Sequence, residues 1–202
     1  AFQVEQGTRA LADRLESLVR VEFGADDRAF IESVSFFFLS TVDDRGRPTV
    51  SYKGGAPGFV QVAGPSELLF PVYDGNGMFL TLGNIVRTAQ VGLLFIDFES
   101  PRRLRLQGTA EVLLNEGHFP GAHYLVRICA HQIFVNCGRY IHKLSTRKLS
   151  PHVPDAAGQQ PFPTWKRIDV LAEVLSDEDK MKVVEAGGTM SAEQYPGEDP
   201  ER

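Results

Sequence analysis

The sequence predicts a mainly β protein with helices, built as a mostly antiparallel barrel that follows N-terminal helices. Apolar and β-branched segments of strand length recur at short spacing, and only one helical segment, residues 78–88, interrupts them. Parallel strands would need a long crossover for each pairing, so a single crossover among many strands favours antiparallel pairing.

The elements before the barrel are two predicted helices within residues 7–34. Leucines at helical spacing predict an amphipathic helix over residues 7–22, and Asp26 is a candidate N-cap for a second, shorter helix. The barrel itself is expected over about residues 36–144. Its predicted strands read FFFLSTV, TVSYK, FVQVA, ELLFPV, VGLLFID, RLRLQGTAEVLL and YLVRICAHQIFVN.

The predicted domain organisation is one domain over residues 1–175, which includes a C-terminal segment over residues 145–175. From residue 176 to residue 202 the chain is acidic and rich in Gly, Ser, Pro and Glu, which predicts a flexible tail. The whole chain has 202 residues, of which 43% are hydrophobic, as expected for a globular protein with one sizeable core.

Charge and composition exclude some classes of partner. The net charge of -5 argues against nucleic-acid binding, which requires a strongly basic face. The apolar runs are strand-length and do not approach the roughly 20 residues of a membrane span. Cys129 and Cys137 are too few for a disulfide framework and favour a reducing compartment. We therefore expect a cytoplasmic protein with no nucleic-acid or membrane partner.

The segment YDGNGM joins the ELLFPV strand directly to the helical segment. Taken alone, Gly75-Asn76-Gly77 is typical of a tight turn, and it lacks the third glycine of a dinucleotide-binding GxGxxG motif. The alternative is an anion-binding elbow, in which free backbone amides and the positive end of the helix dipole face a phosphate. Ser51 and Lys53, on one face of the TVSYK strand, would add a hydroxyl and a cation.

Two later strands provide further candidates. In RLRLQGTAEVLL the apolar residues point inward, so Arg103, Arg105 and Gln107 share the outward face. The VGLLFID strand is apolar on both faces, which indicates that a helix or a second subunit covers its outer face. His and Cys residues near Cys137 lack the spacing of a zinc site, so we predict no metal site and assign no catalytic residue.

Four blocks of sequence occur in the order found in a known family. They read FLSTVDDRGRPTVSYKGGAPGFVQV, LLFPVYDGNGMFLTLGNI, VGLLFIDFESPRRLRLQGTAEV and FVNCGRYIHKL. Together they resemble the pyridoxamine 5'-phosphate oxidase-like flavoproteins, and within them the predicted flavin-nucleotide-binding branch. The resemblance implies an FMN-binding split β-barrel and a homodimer with flavin at the subunit interface.

The resemblance also implies site residues and an activity. It places Asn136, Arg139 and Tyr140 in the flavin pocket. The full set of candidate cofactor-binding residues is Ser51, Lys53, Tyr73, Asn76, Gly77, Met78, Arg103, Arg105, Gln107, Asn136, Arg139 and Tyr140. Members that oxidise pyridoxamine phosphate carry a basic pair where this chain has Asn76 and Gly77, so that activity is not expected here.

We expect an FMN-dependent oxidoreductase that transfers hydride through flavin N5 and uses a small-molecule electron donor or acceptor. Because the cofactor carries such chemistry, the protein needs no nucleophile of its own. The alternatives are a deazaflavin-dependent reductase on the same fold, a non-catalytic flavin-binding or sensor module, and a split-barrel protein without cofactor.

Overall fold

The computed structural model of the chain describes residues 2–145 and 148–197. The chain divides into two compact units, Ala1–Gln159 and Gln160–Arg202. This boundary differs from the one expected at residue 175, which falls inside the second unit. The last residues of the predicted tail, 198–202, lie outside the described residues.

Three helices precede the sheet of the first unit: α1 (Phe2–Glu5), α2 (Arg9–Glu16) and α3 (Ala25–Ser33). Helix α2 is shorter than the helix predicted over residues 7–22 and buries none of its side chains. Gly24, not Asp26, is the N-cap of α3, because the Asp27 carboxylate accepts the Gly24 amide and also binds the Arg20 guanidinium.

Seven strands form one sheet with the order β2-β1-β5-β6-β7-β4-β3, and every strand pairing in it is antiparallel. The strands are β1 (Phe36–Val42), β2 (Pro48–Gly54), β3 (Gln61–Val62), β4 (Glu67–Val72), β5 (Gln90–Asp97), β6 (Arg102–Leu114) and β7 (Tyr124–Val135). Helix α4 (Leu80–Thr88) is the single helix between strands, as predicted. This is the split-barrel fold that the sequence predicted.

The core lies inside the curled sheet. Phe37 of β1 packs against Phe70 of β4, with ring centroids 5.1 Å apart, although these strands are far apart in the strand order. Phe95 of β5 lies at the same distance from Phe37 on another side. All three rings are fully buried. Contact between distant strands shows that the sheet closes around its apolar face.

The second unit is built from short helices held by polar contacts. It contains 3₁₀ helices over Thr164–Arg167, Asp169–Val174 and Ala192–Gln194, and helix α5 over Asp177–Glu185. Ser176 caps α5 by accepting the Asp179 amide at 3.1 Å. The Lys166 ammonium, only 2% exposed, binds both carboxylate oxygens of Asp179 at 2.9 Å. The segment predicted as a tail therefore contains an ordered helix.

Candidate functional site

A cleft of about 460 Å³ lies between the edge strand β2, the end of β4 and the first turn of α4. Its size falls in the range of about 300–1,000 Å³ that is usual for small-molecule sites. The lining comprises residues 49–54 of β2, Phe59, residues 71–77 and residues 79–82. Five of the sequence-predicted residues line it: Ser51, Lys53, Tyr73, Asn76 and Gly77.

Lys53, Ser51 and Thr81 form a polar cluster in this cleft. The Lys53 ammonium donates to the Thr81 hydroxyl at 3.3 Å, and the Ser51 hydroxyl lies 3.4 Å from the same oxygen. Lys53 is half-buried, and this burial lowers its pKa. Within the part of the chain that the structure describes, no carboxylate pairs with Lys53. The cluster is a cation with two hydroxyls and no protein counter-ion.

The elbow between β4 and α4 is held by its own side chains. Asp74 Oδ1 accepts the Gly77 amide at 3.2 Å, and Asn76 Oδ1 accepts the Met78 amide at 3.1 Å. Gly77 has a φ of +70°, a left-handed conformation that glycine adopts without steric cost. Tyr73 is half-buried at the base of the elbow, and burial raises the pKa of its phenol. Met78 is 68% exposed and lies outside the cleft lining.

Helix α4 begins at an unusual residue. Its N-cap is Phe79, in the left-handed conformation with a φ of 48°, and no side chain caps the helix there. Helices usually place Ser, Thr, Asp or Asn at this position, since those side chains accept the first free amides. Phe79 has no such acceptor. The first-turn amides of α4 therefore have no side-chain cap.

The outward candidates lie on the other face of the sheet. Residues directly opposite each other in an antiparallel ladder share a face. Lys53 is opposite the fully buried Phe37, so it points to the core side of β2. Arg105 belongs instead to the outer row, in the register Tyr52–Phe38–Leu94–Arg105. The structure therefore separates Arg103, Arg105 and Gln107 from Ser51 and Lys53 within one chain.

Two polar side-chain atoms at the start of β6 and just after β7 are buried and have no hydrogen-bond partner among the described residues: Arg103 Nε and Asn136 Oδ1. Asn136 follows Val135, which pairs with Leu104, so the antiparallel register brings position 136 opposite Arg103. An unpaired buried donor and an unpaired buried acceptor each cost about 1–3 kcal/mol. Their positions next to each other make this end of β6 a candidate for contact with a ligand that offers both an acceptor and a donor.

Arg139 and Tyr140 lie in the segment after β7, and both are exposed, Tyr140 by 88%. Gly138 anchors this segment, because a Cβ there would lie 2.4 Å from the Pro101 carbonyl oxygen in the β5–β6 turn. Arg139 and Tyr140 thus extend into solvent from a fixed point, away from the cleft lining.

Sequence reasoning missed Thr81, whose hydroxyl is the centre of the polar cluster. The sequence does show that Thr81 carries a hydroxyl in the first turn of a helix that follows a glycine elbow, and this pattern could have identified it as a phosphate ligand. No feature of the sequence indicates, however, that Thr81 lies next to β2.

The chain matches a protein-family model. The family model described as pyridoxamine 5'-phosphate oxidase matches residues 24–155, which include the cleft and the outward set. The chain belongs to the pyridoxamine 5'-phosphate oxidase family. No curated protein matches the chain.

Solved structures are similar to this family member in fold alone. HupZ of Group A Streptococcus is 17% identical, with a TM-score of 0.47, over 61% of this chain and 99% of that one. An FMN-binding protein of Syntrophomonas wolfei is 11% identical, with a TM-score of 0.40, over 68% and 98% of the two chains. An F420 reductase is 18% identical, with a TM-score of 0.43, over 52% and 94%.

The described residues contain no group of three or more His, Cys, Asp and Glu side chains that could hold a metal ion. None of their helices is long and apolar enough to cross a membrane.

Proposed function

We propose that this member of the family is an FMN-binding flavoprotein that acts as a flavin-dependent oxidoreductase. The observation that carries the proposal is the cluster of Lys53, Ser51 and Thr81 beside the uncapped start of α4. The FMN phosphate, with a second pKa of about 6, carries nearly two negative charges at neutral pH. It requires a cation, hydroxyl donors and backbone amides, and this corner of the cleft has all three.

The fit of FMN is supported by the absence of a protein counter-ion. Lys53 is half-buried, its pKa is lowered by burial, and no carboxylate among the described residues neutralises it. A phosphate dianion would supply the missing charge. The cleft is lined by residues from both faces of β2, so a ligand whose phosphate meets Lys53 can extend past the free edge of that strand.

A homodimer is part of the proposal. The outer row Tyr52–Phe38–Leu94 is apolar, and Phe36 stacks between Tyr52 and Phe98 at centroid distances of 5.4 Å and 5.9 Å. Such a face needs a cover, and a second copy of the chain brings its own outward set to the seam. Since one chain keeps Lys53 and Gln107 on opposite faces, the ring of a flavin would meet Gln107 of a second copy.

The residues of the chain would bind and orient the cofactor. When bound, FMN would supply two-electron redox chemistry at its ring. Lys53, Ser51 and Thr81 would hold the phosphate. The unpaired Arg103 Nε donor and Asn136 Oδ1 acceptor match a ring edge that presents a carbonyl beside an N–H. Pyridoxamine phosphate itself is not the proposed substrate, because Asn76 and Gly77 stand in place of a basic pair.

A cytoplasmic location completes the proposal. Cys129 and Cys137 are both free and exposed, which suits a reducing compartment.

Cofactor extraction tests the proposal, with Thr81→Val and Thr81→Ser as a matched pair. The purified protein is expected to release FMN, identified by absorbance and mass. Thr81→Val should weaken FMN binding about tenfold, the effect of one lost hydrogen bond to a charged group, whereas Thr81→Ser keeps the hydroxyl and should bind as wild type does.

Anaerobic addition of NADH or NADPH then tests the enzymatic half of the proposal. Bleaching of the flavin absorbance is expected. Extraction of a deazaflavin would replace FMN with the first alternative cofactor, and a bound flavin that no donor reduces would indicate a binding module. Failure of the reconstituted chain to hold any flavin would contradict the proposal altogether.

A further inference from the structure

Three cations near the start of β6 form no ion pair with a carboxylate of the described residues. Arg9, Arg20, Arg28, Arg47 and Arg127 of the first unit form such pairs, whereas Arg14, Arg45, Arg87, Arg102 and Arg103 form none with the described residues. Arg105, Arg139 and Lys143 have no such partner within the part of the chain that the structure describes. These three residues are referred to as the cationic patch. Its charges are available to an anion from solution.

The backbone holds the members of the patch at the same end of the sheet. Arg105 is opposite Phe134 near the end of β7, and its guanidinium lies 4.8 Å from the centre of that ring. The segment that carries Arg139 and Lys143 starts directly after β7 and returns along the β5–β6 turn.

Two backbone contacts fix that segment. Gly138 packs against Pro101 so closely that a side chain would not fit, and the Leu144 amide donates to the Phe98 carbonyl at 3.1 Å. Arg139 and Lys143 lie between these two anchors. Their backbone positions are therefore determined by the turn, while their side chains are exposed.

The sequence around the patch contains few carboxylates. Residues 117–154 include no Asp or Glu, although the chain has 26 of them, and they contain all five of its histidines. The adjacent β5–β6 turn carries Asp97 and Glu99. Asp97 Oδ1 is engaged there as acceptor for the Glu99 amide at 2.8 Å and the Ser100 amide at 3.1 Å. The charge of the patch is thus positive over a continuous stretch of chain.

We propose that the cationic patch binds the phosphates of a nicotinamide dinucleotide co-substrate, with preference for the 2'-phosphorylated form. The inference rests on the proposed function, since a flavin-dependent oxidoreductase needs an electron donor, and soluble hydride donors of this class carry several phosphates. Three cations on two separate segments suit several phosphates better than a single one. Arg105, whose guanidinium carbon lies 4.8 Å from the centre of the Phe134 ring, can offer its N–H donors for bidentate contact with phosphate.

This assignment changes the role expected for two residues. The strand pattern groups Arg105 with the flavin, and the family resemblance does the same for Arg139. In the structure both side chains are exposed, whereas the half-buried Lys53 lies with the hydroxyls of the cleft. The single phosphate of FMN would bind the cluster of Lys53, Ser51 and Thr81 in the cleft. The several phosphates of a second ligand would bind the cationic patch.

Calorimetric titration of the FMN-loaded full chain tests the proposal, with NADP⁺, NAD⁺ and ADP as probes. Wild type is expected to bind NADP⁺, which carries the additional 2'-phosphate, more tightly than either NAD⁺ or ADP. The double variant Arg139→Gln, Lys143→Gln should weaken NADP⁺ about tenfold for each cation removed and bring the NADP⁺ and NAD⁺ affinities together. The charge-retaining variant Arg139→Lys should keep most of the NADP⁺ affinity.

The matched control is the double variant Arg45→Gln, Arg87→Gln, which removes the same charge from the turn between β1 and β2 and from the last turn of α4, where the Thr88 hydroxyl donates to the Val42 carbonyl. It should bind NADP⁺ as wild type does. An equal loss in the control, or ADP binding as tightly as NADP⁺, would overturn the proposal. Loss of FMN from the Arg139→Gln, Lys143→Gln variant would do the same, because it would return these residues to the flavin site.

Flavin content, measured separately by absorbance, distinguishes this proposal from the proposed function. If wild type holds no FMN yet binds NADP⁺ through the patch, the flavoprotein proposal fails and the patch stands. If wild type holds FMN but NADP⁺ binding does not depend on Arg139 and Lys143, the patch fails and the flavoprotein proposal stands.

Discussion

Replacing Lys53 with Met is expected to weaken FMN binding without destabilising the ligand-free protein. Lys53 is a half-buried cation whose hydrogen-bond partner is the neutral Thr81 hydroxyl at 3.3 Å, and burial lowers its pKa. The free protein therefore holds this charge at a cost that a bound phosphate would offset. Met preserves the apolar stem and removes the charge, so the free energy of unfolding should stay the same or rise.

The expected loss of affinity follows from the contact removed. A charge-assisted hydrogen bond contributes about 1.5–3 kcal/mol, which corresponds to an increase of about 10–150-fold in the dissociation constant. Riboflavin has the same ring but no phosphate, so its dissociation constant should change by less than about twofold. FMN affinity in wild type should fall as the pH rises through the alkaline range, because Lys53 then loses its charge. Since burial lowers the Lys53 pKa, this fall should begin at a lower pH than it would for a lysine with an ordinary pKa. The Met variant should lack this fall.

Flavin fluorescence titration measures both affinities, and urea unfolding of the ligand-free protein measures stability. Lys180→Met, on the exposed side of α5, is the matched control and should leave both flavins unaffected. Equal weakening of FMN and riboflavin would refute the phosphate assignment and make Lys53 a structural residue. Unchanged FMN binding would place the phosphate elsewhere.

Three further predictions concern assembly and stability. A Cβ at Gly92, on the outer face of β5, would meet only atoms 3.9 Å away, so Gly92→Lys should fold and yet sediment as a monomer; a dimeric variant would contradict the proposed interface. The Arg20 ion pair and the Gly24 amide lower the pKa of Asp27 despite its burial, so Asp27→Asn should cost about 2 kcal/mol of unfolding free energy. This difference is fully present above the ordinary carboxyl pKa of about 3.9 and should vanish only as the pH falls through the lowered value; a difference that persisted at lower pH would exclude the ion pair as its cause. In the second unit, Asp179→Asn should expose α5 amides to hydrogen exchange more than Lys166→Met does, because it removes the carboxylate that contacts the 2% exposed ammonium; the reverse order would be inconsistent with a buried ion pair.

The strands and their faces could be predicted because burial in a sheet alternates with a period of two. In FFFLSTV, Phe37 and Leu39 are buried while Phe36 and Phe38 point outward, and β6 alternates as expected from Leu104 onward. Such a local pattern needs no knowledge of the neighbours. The same pattern identified the separate strands, and because only one helical segment lies between them, the antiparallel barrel could be predicted.

The division of the site between two faces could not be predicted, because it depends on the register between strands. Alternation within β2 separates Lys53 from Tyr52, but only the ladder from β2 through β1 and β5 to β6 shows that Arg105 lies on the Tyr52 side. The position of Thr81 next to Lys53 depends in the same way on how α4 packs over the sheet, which no spacing in the sequence reports.

The segment over residues 176–202, which the sequence predicts to be a flexible tail, is a different case. Its composition is that of a solvated tail, with few apolar residues, and composition alone does not reveal specific polar contacts. The Ser176 cap and the bidentate contact between Lys166 and Asp179 organise α5 without a large apolar core. Whether this unit is dispensable for cofactor binding stays a prediction.

If the cationic patch binds the electron donor as proposed, the close approach of Gly138 to Pro101 makes the length of one turn a determinant of the choice of donor. Since the arm after β7 is positioned by that turn, an insertion between Phe98 and Pro101 would displace Arg139 and Lys143 together, without altering a residue of the cleft. Relatives with longer or shorter turns would then hold the same cofactor and accept different electron donors. Loop length at this point is a natural variable for redesigning the donor preference while the cofactor site is left untouched.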